Sequence, residues 1–203
     1  MKIVTLPVGE LGTNCYIATD ENGTAAIIDP GADAHAILRV LQDEGVRIGG
    51  ILLTHAHFDH IGAVNTLAED VSVFCHRLDV PALQDGRLNL SALFGRPLAP
   101  IADAVCVEDG DTIAIGELTF TVLHTPGHTV GSCCYRLGDV LFAGDTLFRD
   151  SIGRTDFPGG DFAVMRQSLA RLAALDGELT VYPGHGEMTT IARERQYNPY
   201  IAR

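Results

Sequence analysis

Short apolar or alternating runs, separated by glycine- and proline-marked turns, recur along the chain and predict many strands and few helices. Ile3 to Leu6, Cys15 to Ala18 and Thr24 to Asp29 read as strands, the last closed by Pro30-Gly31. A helix is expected next: Asp33 can cap it, Ala34, Ile37, Leu38 and Leu41 share one helical face, and Gly45 suits its end. Ile48 to Leu53 reads as a strand, Ile61 to Ala68 as a short helix and Val71 to Cys75 as a strand. Residues 77 to 100 carry Asp85-Gly86, Asn89, Gly95, Pro97 and Pro100, which suggest a surface excursion. Strands follow at about 104 to 107, 111 to 115, 117 to 124, 132 to 137 and 139 to 143. Phe148 to Gly160 lacks periodicity, whereas Asp161 opens a helix whose Phe162, Met165, Leu169 and Leu172 share a face until Gly177. Leu179 to Tyr182 is a last strand, and Thr190 to Gln196 a last helix stopped by Asn198-Pro199. No linker, repeat or low-complexity tract interrupts this order, so an α/β (α+β) chain of one domain, 1-203, is expected.

Composition narrows that picture. With 203 residues and 46% hydrophobic content the chain can bury one substantial core, and 22 glycines, 9 prolines and no tryptophan favour short elements. A net charge of −12 without any Lys/Arg cluster argues against nucleic acid or an anionic membrane surface as partner, since both need phosphate neutralisation. No stretch approaches the ~18 apolar residues of a membrane span, and the run from Met1 to Glu10 breaks too early for a signal peptide. A cytoplasmic protein, monomeric or a small homo-oligomer, is expected. Cys15, Cys75, Cys106, Cys133 and Cys134 show no CxxC spacing and read as reduced thiols. The vicinal Cys133-Cys134 reads as two small buried hydrophobes, a redox switch being the alternative.

The candidate chemistry lies in His55-Ala56-His57-Phe58-Asp59-His60, directly after the apolar run Ile51-Leu52-Leu53-Thr54. Imidazole and carboxylate suit zinc and non-haem iron or manganese. In an extended segment His55 and His57 would converge on one point while Asp59 and His60 turn toward a neighbouring one, which hints at two ions. His128, Asp145 and His185 each follow a predicted strand through a glycine-marked loop. Such loops commonly present functional side chains from a rigid scaffold. These five imidazoles and two carboxylates exceed what one zinc takes, whereas two ions sharing a carboxylate and a bridging water would use them all. The remaining histidines, His35, His76 and His124, are expected in ordinary exposed or core-satisfied roles.

These residues resemble the metallo-β-lactamase superfamily, whose HxHxDH signature stands here as His55 to His60. Supporting motifs follow in order: Ile28-Asp29-Pro30-Gly31, Thr125-Pro126-Gly127-His128-Thr129, Gly144-Asp145-Thr146-Leu147-Phe148 and Tyr182-Pro183-Gly184-His185-Gly186. Within it the chain looks most like the glyoxalase II (hydroxyacylglutathione hydrolase) branch, through its HTPGHT, GDTLF and PGH elements. The resemblance implies a four-layer αββα sandwich. It implies one metal on His55, His57 and His128, a second on Asp59, His60 and His185, and Asp145 bridging both, with Asp59 and Asp145 the catalytic carboxylates. Zinc is the expected metal, with iron or manganese as alternatives. Asp29 would hydrogen-bond a ligand histidine, the alternative being a plain turn-former before Pro30.

A water held by two divalent ions ionises near neutral pH and can attack an acyl carbonyl. A thiolate needs no obligatory protonation to leave, so a small-molecule thioester is the expected substrate and partner. The glutathione-binding helical domain of the branch follows its last histidine ligand, and residues 186 to 203 are too few to form it. Arg154 aligns with a basic residue the family uses near substrate carboxylates; a salt bridge within a surface loop is the alternative. Competing readings are an iron-dependent persulfide dioxygenase, a lactonase, and a non-enzymatic binding protein, the last disfavoured by a complete ligand set.

Overall fold

The computed structural model describes residues 1–201 and contains two six-stranded sheets packed face to face. In the first, the hairpin β1 (Lys2–Val8) and β2 (Thr13–Thr19) leads into antiparallel β3 (Thr24–Ile28). β4 (Arg47–Leu53), β5 (Val73–His76) and β6 (Val105–Val107) then add in parallel. In the second, β7 (Thr112–Ile115), β8 (Leu118–His124), β9 (Cys133–Leu137) and β10 (Val140–Gly144) form an antiparallel meander. A small hairpin follows, β11 (Leu147–Phe148) with β12 (Ser151–Ile152). β13 (Thr180–Pro183) pairs parallel to β10, and β14 (Thr189–Thr190) forms the far edge.

Strand alternation sorts the apolar residues into three layers of core. On β2, Cys15 and Ile17 face α1 (Ala34–Glu44), meeting Ile37 and Leu41, while Tyr16 and Ala18 face the other sheet. The two single-turn helices α2 (Phe58–Ile61) and α3 (Val64–Leu67) cover the same outer face. Between the sheets lie Phe120, Tyr135 and Phe142, all fully buried, and truncating such a ring costs about 3–5 kcal/mol. On β10, Leu141 and Ala143 face outward to α4 (Phe162–Ala173) and α5 (Ile191–Tyr197) through Met165, Leu169, Leu172 and Ile191. The result is the four-layer αββα sandwich, and helices on both outer faces explain why β3 and β10 are buried along their whole length.

Several expectations change. Residues 61–68 do not form one helix: the helical hydrogen-bond pattern begins at Phe58, breaks at Gly62–Ala63, where Ala63 N–H donates to Pro30 O (2.9 Å), and resumes at Val64. The Gly62 backbone lies against the Gly31 carbonyl, so close that an added Cβ would sit 2.3 Å from that oxygen. Asp33 occupies the cap position of α1 without a capping bond, because its carboxylate accepts instead from the Gly9 N–H (2.8 Å). α4 ends at Ala173, short of Gly177, with the Ala174 N–H closing the last turn. The aperiodic stretch after Asp145 contains the β11–β12 hairpin, too short to leave a pattern. Cys133 faces the core between the sheets and Cys134 the outer core, so the two thiols point apart; all five cysteines are free. Among the described residues no helix is long and apolar enough to cross a membrane.

Candidate metal centre

The ends of β3, β4, β8, β10 and β13 meet at one edge of the sandwich and deliver Asp29, the His55–His60 segment, His128, Asp145 and His185. Close backbone contacts hold the loops in register. The Thr54 carbonyl accepts from Cys133 N–H (2.9 Å), tying the two sheets, and Gly184 N–H donates to Gly144 O (2.8 Å). Gly144 has φ +48°, and an added Cβ would lie 2.2 Å from Thr54 Oγ1; at Gly184 it would lie 2.1 Å from Asp145 Oδ1. Only glycine brings these strand ends so near.

All seven predicted ligand residues come together. Donor atoms of His55, His57 and His128 lie within 4.8 Å of one another, as do those of Asp59, His60 and His185. A third grouping, His55, His60 and Asp145, straddles the two. Asp145 Oδ1 is 3.4 Å from His60 Nε2, while Oδ2 is 3.5 Å from His128 Nε2 and 3.7 Å from His185 Nε2. The partition matches the expectation, but its cause differs. His57 is extended (φ −69°, ψ 149°), whereas Asp59 and His60 ride on the helical turn of α2, so strand alternation does not aim them.

Buried hydrogen bonds fix the rings. Asp29, at φ +51°, accepts from Thr54 N–H (2.8 Å), Thr54 Oγ1–H (2.6 Å) and His60 Nδ1–H (3.0 Å). His55 Nδ1–H in turn donates to Thr54 Oγ1 (3.2 Å), so one carboxylate sets both His60 and His55 with Nε2 facing inward. The alternative of a plain turn-former falls short of this, because the side chain is 2% exposed and fully engaged. His128 Nδ1–H donates to the Arg154 carbonyl (2.7 Å). The Arg154 guanidinium is exposed, forms a bidentate pair with Asp156 (2.7 and 2.7 Å) and lies 3.7 Å from the centre of the Phe157 ring.

Further residues hold the site without any sequence signature. Asp79, 2% exposed, accepts from Ala56 N–H (3.0 Å), Thr129 Oγ1–H (2.8 Å) and Gly131 N–H (2.8 Å), joining the His55–His57 loop to the His128 loop. Burial pushes its carboxyl above the usual range, against the pull of those three donors. Thr13 Oγ1–H donates to Asp59 Oδ2 (2.8 Å), and the Asn14 side chain and Tyr16 hydroxyl both donate to the Pro183 carbonyl (3.1 and 2.6 Å), beside His185. Their one available signal was position: Asp79 lies just past a strand end, like the ligands themselves. His35 is exposed, and His76 stacks on His124 with ring centres 4.0 Å apart, away from the seven.

Electrostatics divide the site. Burial and then neighbouring imidazoles hold His55 and His57 below their ordinary range, His57 at about 3, so both present lone pairs. Burial would lower His60 too, but Asp59, Asp145 and Asp29 push it up instead. Burial opposes ionisation of Asp145, yet His60, His128 and His185 bring it down to about 2; His60, His185 and Thr13 likewise hold Asp59 below the carboxylate range. His57 Nε2, His60 Nε2 and Asp145 Oδ1 are buried without any hydrogen-bond partner. Orphaned polar atoms of that kind cost about 1–3 kcal/mol each, and a cation between them removes the cost, so the residues fit a metal. A donor set of imidazole and carboxylate without thiolate suits zinc, iron or manganese.

Comparison with known proteins agrees with this geometry. The hydroxyacylglutathione hydrolase GloC of Haemophilus influenzae is 33% identical over 208 residues, covering 99% of this chain and 98% of that protein. The crystal structure of BLEG-1 B3 metallo-beta-lactamase superposes with a TM-score of 0.91 at 39% identity over 100% of both chains. That of TTHA1623 in a di-iron-bound form superposes with a TM-score of 0.88 at 38% identity, covering 97% of this chain and 99% of that one. The model of the metallo-beta-lactamase superfamily matches residues 8–185, a span that begins in β1 and ends on His185, and the chain belongs to that superfamily.

Proposed function

We propose that the protein is a binuclear metal-dependent hydrolase of acyl thioesters, glyoxalase II-like in chemistry. One observation carries this reading: two histidine-rich triads of donor atoms lie side by side with Asp145 reaching both, and three of the inward atoms have no protein partner. Similarity to GloC over nearly the whole of both chains supports the substrate class. His55, His57 and His128 would hold one ion, Asp59, His60 and His185 the other, with Asp145 shared. Two divalent ions, zinc in our reading, supply a water acidified to near-neutral pKa and Lewis-acid polarisation of a carbonyl.

The chain's own residues supply orientation and charge. Asp59 and Asp145 stay ionised at neutral pH and accept hydrogen bonds from the attacking water, aligning it for the acyl carbon. The Nδ1 protons of His55, His60 and His128 are committed to Thr54, Asp29 and the Arg154 carbonyl, so those rings do not serve as acids. The reaction therefore favours a leaving group that needs no proton. The water gives one proton to solvent as its oxygen bonds to the carbonyl carbon, the C–S bond breaks with its electron pair on sulfur, and the carboxylic acid so formed gives its remaining proton to solvent. A thiol pKa of about 8.5 lets thiolate depart unaided. The Arg154–Asp156 pair is exposed and worth little, so it can open to a substrate carboxylate such as those of glutathione.

Purified protein assayed for metal content and for thiol release from S-D-lactoylglutathione and simpler thioesters tests the reading. Thiol release that a chelator abolishes and added metal restores is expected. One iron per chain, oxygen consumption with a persulfide and no thioester cleavage would replace it with a dioxygenase.

A further inference from the structure

Beside the donor cluster, sharing Asp59 with it, opens a cleft of about 560 Å³. That is in the range of small-molecule sites. Val8 at the end of β1 and Leu11 in the β1–β2 turn form one wall, and Phe94 and Leu98 from the 77–100 excursion form the other. Phe58, next to the ligand Asp59 on α2, lies at their meeting point, its ring centre 5.1 Å from that of Phe94. Phe94 is also 6.3 Å from Phe157, whose ring lies 6.2 Å from His57. An aromatic row thus leads from the cleft to His57.

The polar groups of the cleft are matched to each other. Glu10 pairs with Arg96 (2.5 Å), bridging the turn and the excursion, and Asp33 accepts from Gly9 N–H. Asp33 and Asp59 are carboxylates of the lining without a Lys or Arg partner, and among the described residues no unpaired cation faces the space to recognise an anionic acyl substituent. Leu11 and Phe94 remain 53% and 46% exposed there. On the other flank, next to His57, the cavity is only about 160 Å³. The room and the apolar surface are therefore on the Asp59 side.

Resting on the thioester reading above, we propose that this cleft receives the apolar acyl chain of the substrate. The chain would run between Leu11 and Phe94, leaving the carbonyl at the donor cluster and the thiol portion toward Arg154. The substrate class is then an acyl thioester of medium chain length rather than a small hydroxyacyl one. Each methylene buried in the cleft would raise kcat/KM by up to about fourfold.

A series of N-acetylcysteamine thioesters from acetyl to octanoyl tests this in the metal-loaded enzyme. In the wild type kcat/KM should climb with chain length. In Leu11→Ser and Phe94→Ala, exposed positions whose substitution leaves the core untouched, the octanoyl-to-acetyl ratio should fall by roughly tenfold. Cleavage of all members with a flat profile, or a ratio unchanged in both variants, overturns the acyl cleft while the thioester reading stands. Cleavage of none overturns both.

Discussion

The two triads lie side by side on one sheet edge, yet they differ in charge, exposure and support. His55, His57 and His128 are all buried, offer only imidazole, and sit in loops joined by the carboxylate of Asp79. Asp59, His60 and His185 include an anion, Asp59 and His185 keep 15% and 29% of their side chains exposed, and β2 supports them through Thr13, Asn14 and Tyr16. A caged triad suits an ion that stays; a triad open to solvent beside a cleft suits one that exchanges and meets substrate. Asp145, in reach of both, makes one site of them.

That comparison predicts a graded set of effects. Asp145→Ala removes the shared group and should weaken both ions, lowering kcat/KM on the order of 10³-fold or more, as read by thiol release and metal content. A variant that keeps both ions and near-normal turnover would separate the triads. Asp29→Asn comes next. Asparagine tolerates the φ of +51°, so the change isolates the lost anionic acceptor. A loss of about 10–100-fold in metal affinity is expected, with both His55 and His60 loosened. Calorimetric titration of metal into the chelated protein measures it.

Asp79→Ala sharpens the asymmetry, because its partners all lie on one side. It strands the buried N–H groups of Ala56 and Gly131, while the Thr129 hydroxyl keeps Ser132 Oγ (2.7 Å), so denaturant unfolding should show a loss of about 1–3 kcal/mol or more. The ion of the all-histidine triad should loosen while that of the other triad holds. Equal loosening of both would show that Asp79 supports the edge as a whole. His35→Ala is the control of smallest effect: the residue is exposed on α1, and stability should stay within about 0.5 kcal/mol with turnover near wild type.

Most of this site was legible because its ligands are chemically unusual and stand at predicted strand ends. The His55–His60 segment, His128, Asp145 and His185 needed only residue type and the strand pattern before each. Strand alternation separates the same residues that the structure groups into two triads, but the turn of α2 does the separating, and four residues of helix at Phe58 are too few to show a period. Thr54, Asp79, Thr13 and Asn14 were not legible. They are common residue types, and their roles arise from contacts such as Thr13 with Asp59 or Asn14 with Pro183, far apart in sequence. Turn residues mark the excursion 77–100 as surface and its residues 85–97 as a wall of an open cleft, but Phe94 and Leu98 are identifiable as that wall only once folding brings the β1–β2 turn opposite.

Graded chelation, with the metal counted by plasma mass spectrometry, decides whether the two unlike triads hold two ions. Close to two ions per chain are expected in the wild type, released in two steps, with His185→Ala retaining one ion and losing the early step. A single ion per chain whose release is unaffected by His185→Ala would contradict the two-ion site.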